Sequence, residues 1–586
     1  MRLRRPAVIV SVGMAVLAAG CTDPEEPKRP GIELDRTTAE GGAAPEEDRG
    51  LPAAPLREQW RADVTGLPAP AGARVEMVAG RVVVLSDRGL DVLDAGTGRP
   101  SWHYRERSRA VTDYTVTPDT VVVTTSATSG TRLRLDGARR LRSTALDAAT
   151  GRTLWTDDRA LWAADDLAGL AQRPGERREY PAAKAGTVVL KSGDENRPGL
   201  AGVDARTGKQ RWTWAPQAAA GRCSFRPYDT DGSLLVVASD CDKTAYALDP
   251  ASGRVRWQKV PGKGTSHVLT RDGVTLLTAS APGGDNVSTL VGADGREIWK
   301  LTSRTLSADE LAVAGDHAVV TVADNDRGYG LRMEFVNLHT RKVDGRTDAR
   351  AHDGLVAAGG RVYGVRQWIG EYQGFGYGLP PRLVPGALDV ADPARRTVTT
   401  VPLPFAMDDD PLKAMPRPVL IKGERVLRVR PSGTALNLVA YGPDGSAKRA
   451  RPVETGGVAP SDWPDACALT AKARDVRARD EVPKRPLRLG RVEIEHWGCR
   501  VTGPPSPLRL HIGWVARTPA EAHALLDGMS GGPVDGFGDE ARAVKGLLGT
   551  WTYMRTGRYL VVLESSDTRE GGFAQSVAKA VDGALR

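Results

Sequence analysis

The feature that most constrains this chain is a repeat built around tryptophan. Asp94-Ala95-Gly96-Thr97-Gly98-Arg99 leads to Trp102, and Asp147-Ala148-Ala149-Thr150-Gly151-Arg152 leads to Trp155. Asp204-Ala205-Arg206-Thr207-Gly208-Lys209 leads to Trp212, and Asp249-Pro250-Ala251-Ser252-Gly253-Arg254 leads to Trp257. A shortened copy, Ala293-Asp294-Gly295-Arg296, precedes Trp299, and Trp60 stands alone ahead of the first full copy. Successive tryptophans are 42, 53, 57, 45 and 42 residues apart. A period of this length marks supersecondary units that bury their apolar faces only against one another.

The content of one unit is readable. Asp can cap a turn with its carboxylate, and Gly supplies the positive φ such a turn demands. A strand precedes the first turn (Leu90-Asp91-Val92-Leu93), and the Trp strand follows. Upstream lies a β-branched run: Val82-Val83-Val84, Val121-Val122-Val123, Val188-Val189-Leu190, Leu234-Leu235-Val236-Val237 or Val319-Val320. Four short strands in about 40–45 residues is the content of one propeller blade. The recurrent indole would fill the wedge between blades. Turn-and-strand starts recur at Gly80, Asp119, Gly186, Gly232, Gly273, Gly315, Gly360 and Gly423, with later hairpin turns expected at Asp389 and at Gly442-Pro443-Asp444-Gly445. The chain therefore reads as mainly β, an eight-bladed propeller over residues 56–455, with seven blades as the alternative. The strand of Trp60 is expected to complete the last blade and close the ring, which removes exposed sheet edges. The 66 glycines and 40 prolines fit many short strands joined by tight turns.

The pattern of a strand, Leu-Asp-Ala-x-Thr-Gly, then Trp resembles the quinoprotein-type (PQQ-like) repeat. That repeat occurs in PQQ-dependent dehydrogenases and in the lipoprotein of the outer-membrane β-barrel assembly machinery. The resemblance covers residues 60–450, more closely over the first five units than after 310. The dehydrogenases of this group use a planar cofactor at one mouth, Ca²⁺, an Asp base and often a disulfide between adjacent cysteines. No adjacent Cys pair and no CxxCH occurs here. Asp324-Asn325-Asp326 and Asp408-Asp409-Asp410 are the candidate hard-cation ligands, although acidic loop tips are usually only solvated.

Residues 1–20 read as a lipoprotein signal peptide. Arg2, Arg4 and Arg5 precede an apolar stretch over 6–19, too short for a permanent membrane span, ending in Leu17-Ala18-Ala19-Gly20-Cys21. This resembles a bacterial lipobox, which implies diacylation of Cys21 and a membrane anchor on the extracytoplasmic face. Residues 21–55 are rich in Pro, Gly, Ala and Glu and are expected to be a disordered tether. The four other cysteines fall in two local pairs, Cys223 with Cys241 and Cys467 with Cys499. Local disulfides are the simplest pairing for an exported chain, a metal site the alternative.

Composition shifts near Pro460, so residues 460–586 form a second region. Helix-like stretches lie near 465–474, 518–529 and 570–585. In the last, Phe573, Val577, Val581 and Leu585 share one face. Strand-like runs lie at 489–495, 507–515, 547–555 and 558–564. Three motifs, Asp465-Ala466-Cys467-Ala468-Leu469, Trp497-Gly498-Cys499 and Gly536-Phe537-Gly538-Asp539-Glu540-Ala541, resemble a domain of unknown function from exported lipoproteins of high-GC Gram-positive bacteria. That resemblance implies a small two-layer α/β domain.

Other chemistry finds little support. Gly528-Met529-Ser530-Gly531-Gly532 matches GxSxG, but a helix precedes the Ser where a nucleophile elbow needs a strand. The eight His are scattered, and no P-loop or Rossmann fingerprint occurs. The net charge of +9 is spread along the chain without a dense basic run, which argues against nucleic-acid binding. One loop stands out. Trp368, Tyr372, Phe375 and Tyr377 lie among glycines between strands. It reads either as a contact surface for a protein or glycan or as a loop folded over its own blade. The expectation is a non-catalytic, lipid-anchored binding or assembly scaffold at the cell envelope, without a cofactor. A ligand-sensing module using the C-terminal domain and a PQQ-dependent dehydrogenase are the alternatives.

Overall fold

Short β-branched runs between Gly and Asp turns set the architecture. The computed structural model describes residues 34–38 and most of 50–586; outside it lie 1–33, 39–49, 128–140, 158–185, 217–224, 367–381, 410–418, 445–462 and some shorter loop segments. Eight separate antiparallel sheets follow one another between residues 34 and 443. The first takes Arg74–Val78, Arg81–Ser86, Gly89–Asp94 and Pro100–Glu106 in chain order. Six more follow over 109–157, 187–214, 225–259, 265–303, 306–348 and 352–409, each with four described strands except the third, with three. In the eighth, Leu56–Val64 pairs along Ala435–Pro443, which pairs with Arg425–Ser432 and then Val419–Lys422. The strand of Trp60 thus joins the last sheet.

First strands of neighbouring sheets touch in succession: Phe225–Thr230, Thr265–Arg271, Leu306–Ala314, His352–Ala358, Val419–Lys422 and Arg74–Val78. The arrangement is propeller-like, with first strands inward. The cores lie between sheets. Trp60, Val82, Val84, Leu93, Leu427 and Leu438, for example, form one cluster from the eighth and first sheets.

The seams between sheets explain the repeat. Asp94 Oδ1 accepts from the Thr97 amide and hydroxyl, both at 2.8 Å, and Gly98 closes the turn onto the Asp94 carbonyl at φ 71°. The indole of the preceding unit lies on that turn. Trp60 Nε1 donates to the Ala95 carbonyl (2.9 Å), Trp102 to Ala148 (3.2 Å), Trp155 to Ala205 (2.8 Å) and Trp212 to Pro250 (2.8 Å). Glycine is needed twice at these positions. The φ of Gly151 is 73°, and a Cβ there would sit 2.7 Å from the Trp102 ring; at Gly253 a Cβ would sit 2.6 Å from Trp212.

The weaker copies depart from this rule in an intelligible way. The turn after Val291 is one residue shorter and closes Gly295 onto the Gly292 carbonyl. Trp257 still packs on Gly295, but its buried Nε1 has no acceptor among the described residues. Trp299 Nε1 donates instead to Glu334 Oε2 (3.1 Å) on the next sheet, and Arg332 and Arg346 pair with the other oxygen of that buried carboxylate at 2.7 and 3.2 Å.

Several expectations need correction. Asp389 is a buried strand residue accepting from Thr400 Oγ1 (2.6 Å), and the turn lies after Asp392. Gly442 and Pro443 belong to the last strand, opposite Arg57 and Leu56. Within the segment expected to be a disordered tether, Leu34–Thr37 forms a fifth strand on the first sheet, and Leu51 is fully buried.

After 462 the chain builds a seven-stranded antiparallel sheet of different design, ordered 478–481, 498–502, 508–515, 559–565, 549–556, 540–546, 532–533. The helix Gly572–Leu585 buries Phe573, Val577, Ala578 and Val581 against Val501, Leu508, Leu510, Val561 and Leu563. A second helix, Pro519–Asp527, stands against Gly549–Thr556 and Tyr559–Ser565 on the side away from that core and also touches Thr397–Asp409 of the seventh sheet. Helices therefore cover both faces, where two layers were expected. The stretch expected as a helix near 465–474 is turn-rich, with a single 3-10 turn at Ala468–Thr470.

Trp212 and Trp257 are equally buried at 7 % exposure, and of the two only Trp212 has an acceptor for its N–H among the described residues. Replacing either by Phe removes similar ring volume, so the difference isolates the hydrogen bond. Trp212→Phe is expected to lose about 1 kcal/mol more stability than Trp257→Phe in denaturant titrations; equal losses would show that the indole bond contributes nothing.

Candidate functional site

The two ends of the eight sheets differ. At one end, connections between first and second strands and between third and fourth strands have at most six residues. Alternate connections emerge at the other end, and these include the long ones. Residues 128–140 and 367–381 join second to third strands, and 217–224 and 410–418 join fourth strands to the next first strand. The segment 158–185 also leaves from this end, after Asp157, and returns to the tight-turn end at Gly186, whose carbonyl accepts from Ala205 N (2.8 Å). Function usually collects on the longer connections of a rigid scaffold.

Sequence positions singled out above fall unevenly on this frame. Trp60, Trp102, Trp155, Trp212, Trp257 and Trp299 all lie on outer strands, and all except Trp155 and Trp299 are buried. They build seams. Cys467 and Cys499 form a disulfide (S–S 2.07 Å) that joins the turn region 465–470 to the strand Gly498–Thr502. Cys21, Cys223, Cys241, Trp368, Tyr372, Phe375 and Tyr377 lie outside the described residues. The strand ends Arg366 and Arg382 put the aromatic loop's attachment at the long-connection end, as do Phe225 and Ser239 for the segments holding Cys223 and Cys241. Asp324 ends a strand, and Asp408 and Asp409 lie in a strand opposite Leu383 and Arg382. Among the described residues no group of three or more His, Cys, Asp or Glu is placed to hold a metal ion.

Two clusters at the long-connection end were missed by the sequence reading. Between the third and fourth sheets, Trp214 and Tyr246 meet edge to face at 5.2 Å, both half-buried, and the Tyr246 hydroxyl donates to Asp242. Burial, together with that carboxylate, pushes the Tyr246 phenol up to about 12. Burial alone would raise Asp242, but hydrogen bonds from Tyr246 and the Thr244 amide hold it below the ordinary carboxylate range. The result is an aromatic platform with a fixed negative charge beside it. The available signal was the second tryptophan of Trp212-Thr213-Trp214, two residues along the strand and so on the same face.

The other cluster joins the first two sheets. Glu106 is buried and accepts from the Tyr104 hydroxyl, and Arg109 lies 3.4 Å from its second oxygen while donating to Thr125 Oγ1 (2.8 Å) and the Thr125 carbonyl (2.9 Å). Burial drives the Tyr104 phenol well above its usual range, so it remains a donor. A buried ion pair of this kind fixes geometry more than it adds stability.

In the C-terminal region, Gly536-Phe537-Gly538-Asp539-Glu540-Ala541 proves to organise a strand entry. Gly538 has φ 57°, and Phe537 packs on the core. Asp539 Oδ2 accepts from the Gly557 amide (2.7 Å) and pairs with Arg555 (3.1 Å), while its other oxygen takes Arg586 (2.6 Å). Glu540 pairs with Arg555 and with His523 Nδ1 (2.8 Å). The Gly557 amide, then Arg555 and Arg586, hold the Asp539 carboxyl low. Burial raises Glu540, but His523 and Arg555 outweigh it and hold it low as well. A depressed carboxyl stabilises the fold above its unfolded value, near 4, and that contribution is lost as pH falls through the lower folded value. The thermal midpoint is therefore expected to fall with acid below about pH 4, and Asp539→Asn to flatten that dependence; an unchanged profile would count against the network.

The family model described as outer membrane protein assembly factor BamB matches this chain twice, over residues 57–213 and 140–373. Together these matches run through more than half of the chain. No curated protein matches it. Solved structures with some likeness include the dihydro-heme d1 dehydrogenase NirN in complex with DHE, 12% identical, covering 65% of this chain and 76% of that one with a TM-score of 0.36. Saccharomyces cerevisiae Sqt1 is 9% identical, with 69% and 100% covered and a TM-score of 0.35. The Dos1 propeller is 8% identical, with 68% and 97% covered and a TM-score of 0.35. At these values the likenesses carry no argument about chemistry.

Proposed function

Since the chain belongs to the family described as outer membrane protein assembly factor BamB, we propose that it is a non-catalytic binding or assembly scaffold of the cell envelope. In this reading the eight sheets are eight blades of a closed ring, carried on a lipid at Cys21 with the C-terminal region as an appended domain. The observation that carries the proposal is the unequal division of the connections. Among the described residues the tight hairpin turns gather at one end, and the connections holding 128–140, 217–224, 367–381 and 410–418 leave from the other. A partner surface built there would use Trp214 and Tyr246 beside Asp242, together with Trp368, Tyr372, Phe375 and Tyr377. Aromatic anchors supply most of the energy of such contacts. Proteins and glycans of the envelope are the partners that aromatic rings with a neighbouring carboxylate suit best.

Replacing Trp368, Tyr372, Phe375 and Tyr377 by Ala should lower capture of crosslinked partners from intact cells tenfold or so, the usual scale for losing anchors worth about 1–2 kcal/mol, without moving the thermal midpoint. Unchanged capture would remove this loop from the interface. Cys21→Ser should release the chain from the membrane fraction; retention there would refute the lipid anchor. Stoichiometric PQQ binding with dye reduction, read by absorbance, would overturn the non-catalytic assignment.

A further inference from the structure

Among the described residues, the leading segment touches the body of the protein at two places ahead of the strand Leu56–Val64. Leu34–Thr37 runs antiparallel to the outer strand of the first sheet, with Leu34 opposite Glu106, Asp35 opposite Arg105, Arg36 opposite Tyr104 and Thr37 opposite His103. Side chains fix this register. The His103 amide donates to Thr37 Oγ1 (3.1 Å), and that hydroxyl lies 3.2 Å from His103 Nδ1. Arg36 Nη1 reaches past the first sheet to Thr153 Oγ1 on the outer strand of the second (2.9 Å). The four residues therefore bridge two sheets and cover an edge that would otherwise expose a row of unpaired amides and carbonyls. The second contact is at Gly50 and Leu51. Leu51 is fully buried, and its carbonyl accepts from the Tyr363 hydroxyl (2.8 Å) and Arg361 Nη1 (3.3 Å). Gly50 has φ 64°, and a Cβ there would meet the Ala358 carbonyl at 2.7 Å.

We propose that residues 34–37 are a clip that shortens the leader and holds the outer edges of the first two sheets toward the lipid surface. The orientation rests on Cys21 being the anchored residue. Thirteen residue steps separate Cys21 from Leu34, so the clipped edge lies within about 45 Å of the anchor at full extension. A leader held only at Gly50 would span 29 steps, roughly 100 Å. The clip thus converts a long tether with no preferred facing into a short one attached to a single side of the ring.

Two variants test it. Arg36→Pro breaks the strand, because proline lacks the N–H and removes the contact to Thr153. Asp35→Cys with Arg105→Cys places thiols on directly opposed residues and locks the strand when oxidised. Hydrogen exchange on the full mature chain with Cys21→Ser reads the clip without lipid. Amides of 34–37 and of the outer strand 100–106 should exchange about tenfold faster in Arg36→Pro than in the unaltered or locked chain. Equal exchange in all three overturns the clip. Neutron reflectometry of the lipidated chain on a supported bilayer reads the orientation: the unaltered and locked forms should share one compact profile, and Arg36→Pro should extend outward. Identical profiles in the presence of the exchange difference overturn the orientation. Intact protection in a chain that leaves the bilayer overturns the Cys21 reading instead and leaves the clip standing.

Discussion

The contact of an indole with the turn of the next sheet is what the rest of this architecture depends on. Each sheet alone would be a small twisted layer with both faces wet. Trp60, Trp102, Trp155 and Trp212 each place a flat ring on a glycine and give an N–H to a turn carbonyl, so the same bond that satisfies the indole sets the spacing of neighbours. Burial supplies the energy, roughly 25 cal/mol per Å² of apolar surface. The glycine supplies the fit, since any side chain there would enter the ring. The Asp carboxylate then holds the turn in the one shape that presents both.

This division of labour accounts for what could be read from the sequence and what could not. Where the motif is complete, residues and roles are the same thing, and Asp94, Gly98 and Trp102 announce both turn and seam. After 290 the motif decays, and so does legibility. Trp299 is still recognisable, but nothing local reveals that Glu334, thirty-five residues on, replaces a backbone carbonyl as its acceptor. Asp389 looked like a turn because Asp is common in turns; in fact it is buried in a strand and accepts a hydrogen bond from Thr400, contributed by another strand. The strand at 34–37 was invisible for a different reason. Its residues have no apolar alternation, because an edge strand lying on the surface is held by its ladder and by Arg36 and Thr37 rather than by a buried face.

The candidate contact surface was only partly legible. The aromatic loop at 368–377 announces itself by composition. The pair of Trp214 and Tyr246 does not, since their partnership requires knowing that the outer strand of the third sheet packs against the third strand of the fourth. In the C-terminal region the reverse holds. Asp539 and Glu540 stood out only as part of a motif shared with a domain of unknown function, and their contacts to Gly557, Arg555, Arg586 and His523 are those of a hairpin clasp. Charge in a short motif is as readily a device of folding as of chemistry.

The eighth sheet draws its strands from both ends of a long stretch of chain. Asn437 gives its amide to Asp63 at 2.8 Å across 374 residues of sequence. During synthesis the strand 56–64 emerges well before its partner and must wait, unpaired, until 435–443 has followed. Its pattern suits that wait: between Leu56, Trp60 and Val64 lie Arg57, Glu58, Gln59, Arg61 and Asp63, hydrophilic spacers that keep a lone strand from sticking to its neighbours. The ladder of the eighth sheet thus records that the stretch of chain from 56 to 443 has arrived.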